Sequence, residues 1–253
     1  MLSLPILRPA TIATFTPFLA AAKPCFLPRG SLTVPALTTW FTPSTPDSTG
    51  GLDVSFFEKT LTPEQLSSLV TIESSTATSF SRSQLPFALF LQYLSAGSPP
   101  PGLPHLYLAQ SPLLENFPQL KASLPTPELV QAGRGDIYAT NLWLGYSRGL
   151  VTPIHRDPNG NLFLQMRGRK VVRLWGPEVW TEGEMGGRLL REDGMVAKRE
   201  IGWGPGSENS GIERGGHEVE VKEGEGLFIP TGWWHTVKGV GEGLSASVNW
   251  WFR

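Results

Sequence analysis

In the run Thr152-Pro153-Ile154-His155-Arg156-Asp157, a histidine and an aspartate stand two residues apart. On extended backbone the side chains at i and i+2 leave the same face, so His155 and Asp157 would present an imidazole and a carboxylate side by side. A β scaffold that aims two ligands at one ion needs a third from a distant strand. Of the four histidines, His105, His155, His217 and His235, the best placed is His235, which follows the apolar Gly226-Leu227-Phe228-Ile229 and the turn-forming Pro230-Thr231-Gly232. Two histidines and a carboxylate leave three octahedral positions open, the donor set of the non-haem Fe(II) facial triad. With four His and five Asp in 253 residues, a His-x-Asp pair arises by chance in roughly 8% of such chains, so the pair draws its meaning from its neighbours. His105, after a proline turn, and His217, at a strand start, read as surface or satisfied polar residues.

The elements that must carry these residues are short strands. Gly 28 and Pro 23 make up about a fifth of the chain, against roughly 12% in ordinary proteins, which disfavours a helical bundle. From Asp136 onward, runs rich in β-branched and aromatic residues alternate with Gly, Pro and Asn turns. They predict strands at Ile137–Gly145, Leu162–Met166, Lys170–Trp175, Glu218–Val221, Leu227–Ile229, Thr236–Val240 and Ser245–Phe252. So many strands without an intervening helical pattern indicate a mainly β (α+β) fold, a sandwich or a jelly roll. Thr181–Gly216, with ten glycines in 36 residues, reads as a long loop between the strand beyond Lys170 and the strands leading to His235. The expectation is that it forms part of a substrate cleft.

Upstream, Cys25–Leu27 reads as a strand and Gly30–Gly51 as a loop. Thr62-Pro63-Glu64-Gln65 offers an N-cap, a proline at the first helical position and a capping-box glutamine, so a short helix follows. A second helix carries Pro86–Leu94, apolar nearly all round and therefore expected to be buried. Gly97–Pro104 is the expected break between an N-terminal strand and helical layer, 1–104, packed on the rest, and a catalytic core, 105–253, that includes the loop 181–216.

The charge balance, Lys+Arg 21 against Asp+Glu 22, leaves no footprint for nucleic acid or an anionic membrane. The single Cys25 cannot form an intrachain disulfide, so a reducing compartment, cytoplasmic or nuclear, is the default. No acidic residue precedes Asp47 while Arg8, Lys23 and Arg29 are basic, a weak likeness to a mitochondrial transit peptide. Pro5, Pro9 and Pro17 argue against the amphipathic helix such a peptide needs. Trp233-Trp234 and Trp250-Trp251 read as core and rim packing rather than a base-stacking surface.

Five stretches together resemble the JmjC family of cupin-like oxygenases. They are Asn141-Leu142-Trp143-Leu144-Gly145, Thr152 to Asp157, Asn161 to Lys170, Gly224 to Pro230 with Trp233-Trp234-His235, and Ser247-Val248-Asn249-Trp250-Trp251. Within the family the likeness is to hydroxylases of the factor-inhibiting-hypoxia-inducible-factor type. Weaker matches occur at Lys23–Gly30 and Leu106–Gln110. The resemblance implies a double-stranded β-helix (jelly roll) with Fe(II) on His155, Asp157 and His235. It implies 2-oxoglutarate and O2 as co-substrates, the far carboxylate meeting Lys170 with the hydroxyls of Thr152 and Tyr107, and Asn161 and Asn249 near co-substrate and metal. A buried dicarboxylate needs a compensating cation, which suits Lys170; Arg173 is the fallback. Gly224-Glu225 stands where the family commonly has Gly-Asp, and Ala109 where the likened type has glutamine, so substrate contacts are expected to differ.

The activity implied is hydroxylation of a protein or peptide side chain with release of succinate and CO2. The alternatives are N-methyl-lysine demethylation by the same chemistry, a non-catalytic jelly-roll binding protein, and a zinc hydrolase, which would have no use for Lys170.

Overall fold

The computed structural model describes residues 2–43, 50–75, 80–111, 113–180, 195–196, 203 and 215–253. The strands are β1 (Cys25–Leu27), β2 (Leu69–Ser75), β3 (Phe80–Pro86), β4 (His105–Ser111), β5 (Ile137–Tyr146), β6 (His155–Arg156), β7 (Gly160–Arg167), β8 (Arg169–Trp175), β9 (His217–Lys222), β10 (Gly226–Ile229), β11 (Trp234–Val240) and β12 (Leu244–Phe252). They form two antiparallel sheets, of order β1-β10-β7-β12-β5-β4-β2-β3 and β6-β11-β8-β9, the jelly roll that the strand pattern and the motifs imply.

Strand alternation explains the sequence of the large sheet. On β7, Leu162, Leu164 and Met166 turn to an outer core while Asn161, Phe163 and Gln165 turn to the interior between the sheets. Opposite them on β12, Val248, Trp250 and Phe252 face outward and Ser247, Asn249 and Trp251 face inward. A sheet covered on both faces reads as a nearly continuous apolar run, which is why β7 and β12 are buried almost end to end. The interior core is smaller: Val172, Leu174 and Val221 of the four-stranded sheet meet Phe163, Leu227 and Ile229.

The outer core is completed by helices α1 (Ile12–Ala20), α2 (Ala36–Thr39), α3 (Val54–Thr60), α4 (Pro63–Ser67), α5 (Phe87–Ser95), α6 (Leu113–Asn116) and α7 (Pro118–Ala122). Thr62 and Gln65 form the expected capping box around Pro63. Three readings need correction. Pro17 does not break the N-terminal helix: α1 is opened by a Thr11–Thr14 capping box and accommodates Pro17 inside it. Gly30–Gly51 is not simply loop, because α2 lies within it and Trp40 and Phe41 are buried. On α5, Leu89 is exposed, so the helix is buried on one side only.

The first hundred residues also supply strands. β1 pairs with β10, and the β2–β3 hairpin extends the large sheet through β4. No helix among the described residues is long and apolar enough to cross a membrane.

Candidate metal centre and co-substrate pocket

β6 and β11 bring the two histidines together. His155 and His235 are directly opposed in register, so both rings leave the same face, with centroids 4.1 Å apart. Asp157 follows β6 and is tied to the turn before β11 by Gly232 N–H donating to its carbonyl at 2.9 Å. That turn closes through Trp233 N to Pro230 O, 3.2 Å, with Gly232 at φ +77°, a conformation open to glycine at little cost. The ligand atoms of His155, Asp157 and His235 all lie within 4.8 Å of one another, and His235 Nε2 is 3.7 Å from Asp157 Oδ2.

The donor set fits a divalent ion. His155 Nδ1 lies 2.9 Å from Pro153 O and His235 Nδ1 3.1 Å from Trp233 O. A carbonyl can only accept, so each Nδ1 carries the proton and each Nε2 keeps its lone pair for a metal. Burial, and then the neighbouring His235, push the His155 imidazole down to about 4, which favours the neutral ligand form. Asn161 Nδ2 donates to Asp157 Oδ2 at 2.9 Å and holds the carboxylate in place.

The same pocket is lined at its other end by Tyr107, Thr152 and Lys170. Lys170 on β8 pairs with Gly239, four register steps along β11 from His235, or roughly 13 Å at about 3.3 Å per residue. Lys170 is buried, and Nζ donates to Ser247 Oγ at 2.6 Å and Tyr107 Oη at 3.1 Å. Burial lowers its pKa to about 7. Burial likewise pushes the Tyr107 phenol far up, so it stays protonated. Gly145 makes room for Tyr107: a Cβ there would collide with the Tyr107 ring and stand 2.9 Å from Leu106 O. Thr152 Oγ1 accepts from Val237 N–H at 2.9 Å. Asn249, on the adjoining wall, accepts from Trp143 Nε1–H at 3.0 Å.

The structure thus brings His155, Asp157, His235, Lys170, Thr152, Tyr107, Asn161 and Asn249 around one pocket. The sequence patterns alone do not single out Ser247 and Trp143. Ser247 was within reach, standing two residues before Asn249 on one strand and hence on its face. Arg173, the fallback cation, faces away from the pocket and pairs with Glu218 at 2.6 Å. His105 and His217 lie outside the triad; each is half-buried with an enclosed Nδ1 that has no hydrogen-bond partner among the described residues, unlike the surface or satisfied residues expected. Trp234 and Trp250 are core residues, while Trp233 and Trp251 are half-buried, the latter on the pocket wall.

Most of the expected substrate loop, 181–216, lies outside the described residues. Those of it that are described touch the small sheet: Val196 bridges to His155, Met195 O accepts from Arg156 N–H at 2.9 Å, and Trp203 lies 4.2 Å from the Arg173 guanidinium.

A sequence model of the Cupin-like domain matches residues 12–188 and 212–253. The chain is 31% identical over 169 residues to Lysine-specific demethylase JMJ30 of Arabidopsis thaliana, covering 65% of this chain and 38% of that protein. It is 32% identical over 151 residues to Lysine-specific demethylase 8 of Danio rerio, covering 58% and 36%. It is 30% identical over 154 residues to JmjC domain-containing protein D of Dictyostelium discoideum, covering 55% and 33%. The chain spans about a third of the length of these curated relatives.

Proposed function

This chain belongs to the cupin-like (JmjC) domain family, and from that premise we propose that it is an Fe(II)- and 2-oxoglutarate-dependent dioxygenase acting as a protein side-chain hydroxylase. The observation that carries the reading is the supply of hydrogen-bond donors at the end of the pocket away from the triad. Lys170 Nζ has three N–H bonds and spends two on Ser247 and Tyr107. The Tyr107 oxygen accepts from Lys170, leaving its own proton free, and the Thr152 hydroxyl, which accepts from Val237, keeps its proton too. Three donors gathered around a buried lysine suit a carboxylate, which only accepts.

In this reading His155, Asp157 and His235 hold Fe(II), Lys170, Tyr107 and Thr152 hold the far carboxylate of 2-oxoglutarate, and Asn161 and Asn249 flank metal and co-substrate. Fe(II) and 2-oxoglutarate, when bound, couple reduction of O2 to insertion of one oxygen atom into an unactivated C–H bond, with succinate and CO2 as the other products. The protein's part is positional. Asn161 and the two carbonyls orient the ligands, and Phe163, Ile229 and Val237 line the pocket with apolar surface that excludes water.

A second reading, N-methyl-lysine demethylation, is favoured by the names of the relatives. Against it, Asp157 is the only carboxylate among the described residues of the pocket, and the metal would occupy it. A methylated ammonium would therefore enter without a counter-charge. The wall of Asn161, Asn249 and Trp251 suits a neutral, hydrogen-bonding side chain, in keeping with the likeness to the factor-inhibiting-hypoxia-inducible-factor type. A protein or peptide partner and a cytoplasmic or nuclear location go with this proposal; the one cysteine, Cys25, is free and buried.

Incubation with Fe(II), 2-oxoglutarate and peptide arrays tests it by mass spectrometry. Gain of one oxygen on a peptide, with stoichiometric succinate, is the expected result. Loss of a methylene with formaldehyde would select the demethylase, and no succinate with any peptide, over an array broad enough to include the relatives' substrates, would select a binding protein.

A further inference from the structure

Trp143 sits on β5 with its ring on the pocket wall, and Asn249 sits on β12 two register positions beyond the Trp143 partner Ser247, and so on the same face. An indole N–H can only donate. Its 3.0 Å contact with Asn249 therefore fixes which end of the carboxamide it meets: Oδ1 faces Trp143, and Nδ2 faces the other way. Asn249 is only 2% exposed and lines the pocket, and among the described residues its Nδ2 has no hydrogen-bond partner. A primary amide with two free N–H bonds on a pocket wall offers them to an acceptor that enters the pocket.

We infer that Trp143 is a positioning residue, which locks the Asn249 carboxamide so that its NH2 group always faces the pocket as a donor to the co-substrate. The inference rests on the dioxygenase reading for the identity of that acceptor, a carboxylate or keto oxygen of 2-oxoglutarate. Without the lock the amide could turn over and present Oδ1 to those oxygens, which would be repulsive. The Trp143 ring also lies 6.5 Å from that of Tyr107, so the residue spans both the amide wall and the carboxylate end.

The test is a double-mutant cycle read by calorimetry of 2-oxoglutarate binding to the Mn(II)-loaded protein without O2, so that no turnover is needed. Trp143→Phe keeps an aromatic ring and removes the N–H. It should weaken 2-oxoglutarate binding roughly three- to tenfold, the range one neutral hydrogen bond supports, while leaving Mn(II) affinity unchanged. In an Asn249→Ala background the same substitution should have no further effect, because there is no amide left to orient. Asn249→Asp should bind more weakly than Asn249→Ala, since one carboxylate oxygen would take the indole N–H and the other would face the co-substrate. Unchanged affinity in Trp143→Phe, or an equal loss with and without Asn249, overturns the inference. The lock is also readable without any ligand: the Trp143 indole N–H resonance should be protected from solvent exchange, and Asn249→Ala should abolish that protection. If the wild-type Mn(II) protein bound no 2-oxoglutarate, the dioxygenase reading would fall, while the resonance would still decide whether Trp143 fixes the amide.

Discussion

Asn161 Nδ2 lies 2.9 Å from Asp157 Oδ2, and the same carboxylate oxygen is 3.7 Å from His235 Nε2. The carboxylate is thus aimed by an amide before any metal arrives. An ion held by three protein ligands does not survive loss of one, so Asp157→Ala should abolish tight Fe(II) or Mn(II) binding. Asn161→Ala leaves the ligand but frees its rotation, and a partner of this kind is worth about 10- to 100-fold in metal affinity. Anaerobic metal titration checks both. Full affinity in Asn161→Ala would mean that Gly232 N–H on the Asp157 carbonyl suffices to hold the loop.

Lys170 makes a second, pH-dependent prediction. Burial disfavours the charged form and lowers its pKa in the folded state to about 7 from the ordinary lysine value of 10.5. Below pH 7 both folded and unfolded chains hold the proton, and the ligand-free folded state carries the full penalty. Between pH 7 and 10.5 the unfolded chain binds a proton that the folded one does not, and stability rises with pH through that window. The penalty is on the order of 5 kcal/mol at about 1.4 kcal/mol per pH unit, offset in part by the bonds to Ser247 and Tyr107. Lys170→Met should therefore raise the melting temperature of the ligand-free protein at pH 6, with a smaller gain at pH 10. It should also weaken 2-oxoglutarate binding at least tenfold with metal binding intact. A destabilised Lys170→Met protein at pH 6 would show that the two hydrogen bonds outweigh the burial.

What could be read from the sequence follows from which signals are local. The core strands are legible because runs of β-branched and aromatic residues and the Gly and Pro turns between them are local signals, and the ligands because His155 and Asp157 share one short run. The β2–β3 hairpin is not legible in the same way: β2 offers one short alternation, with Val70 and Ile72 turned into the core, residues 81–84 of β3 are polar and exposed, and the pairing is shown by register. Trp40 falls in a stretch that reads as loop because its burial depends on Phe57, which meets its ring at 5.3 Å from another element. Within the pocket, residue types pointed to Lys170 and Asn249. Which atoms they present was not legible, since Ser247, Tyr107 and Trp143 reach them from three different strands.

The last prediction concerns α1, far in sequence from the site. Phe15 is fully buried, meeting the Phe228 ring edge-on at 4.8 Å and the Phe252 ring at 6.4 Å. Phe228 lies on β10, whose next residues form the turn into His235, and Phe252 ends β12, which carries Asn249 and Trp251. One outer side chain thus backs both strands that frame the pocket. Phe15→Ala removes most of an aromatic ring from a packed core, a change that costs about 3 to 5 kcal/mol. For a chain of this size the melting temperature should fall by on the order of 10 °C. Phe15→Leu, which refills most of the volume, should recover more than half of that loss. Because the turn into His235 leaves one backed strand and Asn249 lies on the other, Mn(II) affinity in Phe15→Ala should match wild type at low temperature and fail first on warming. An unchanged melting temperature would show that the helix rests on the sheet without supporting it.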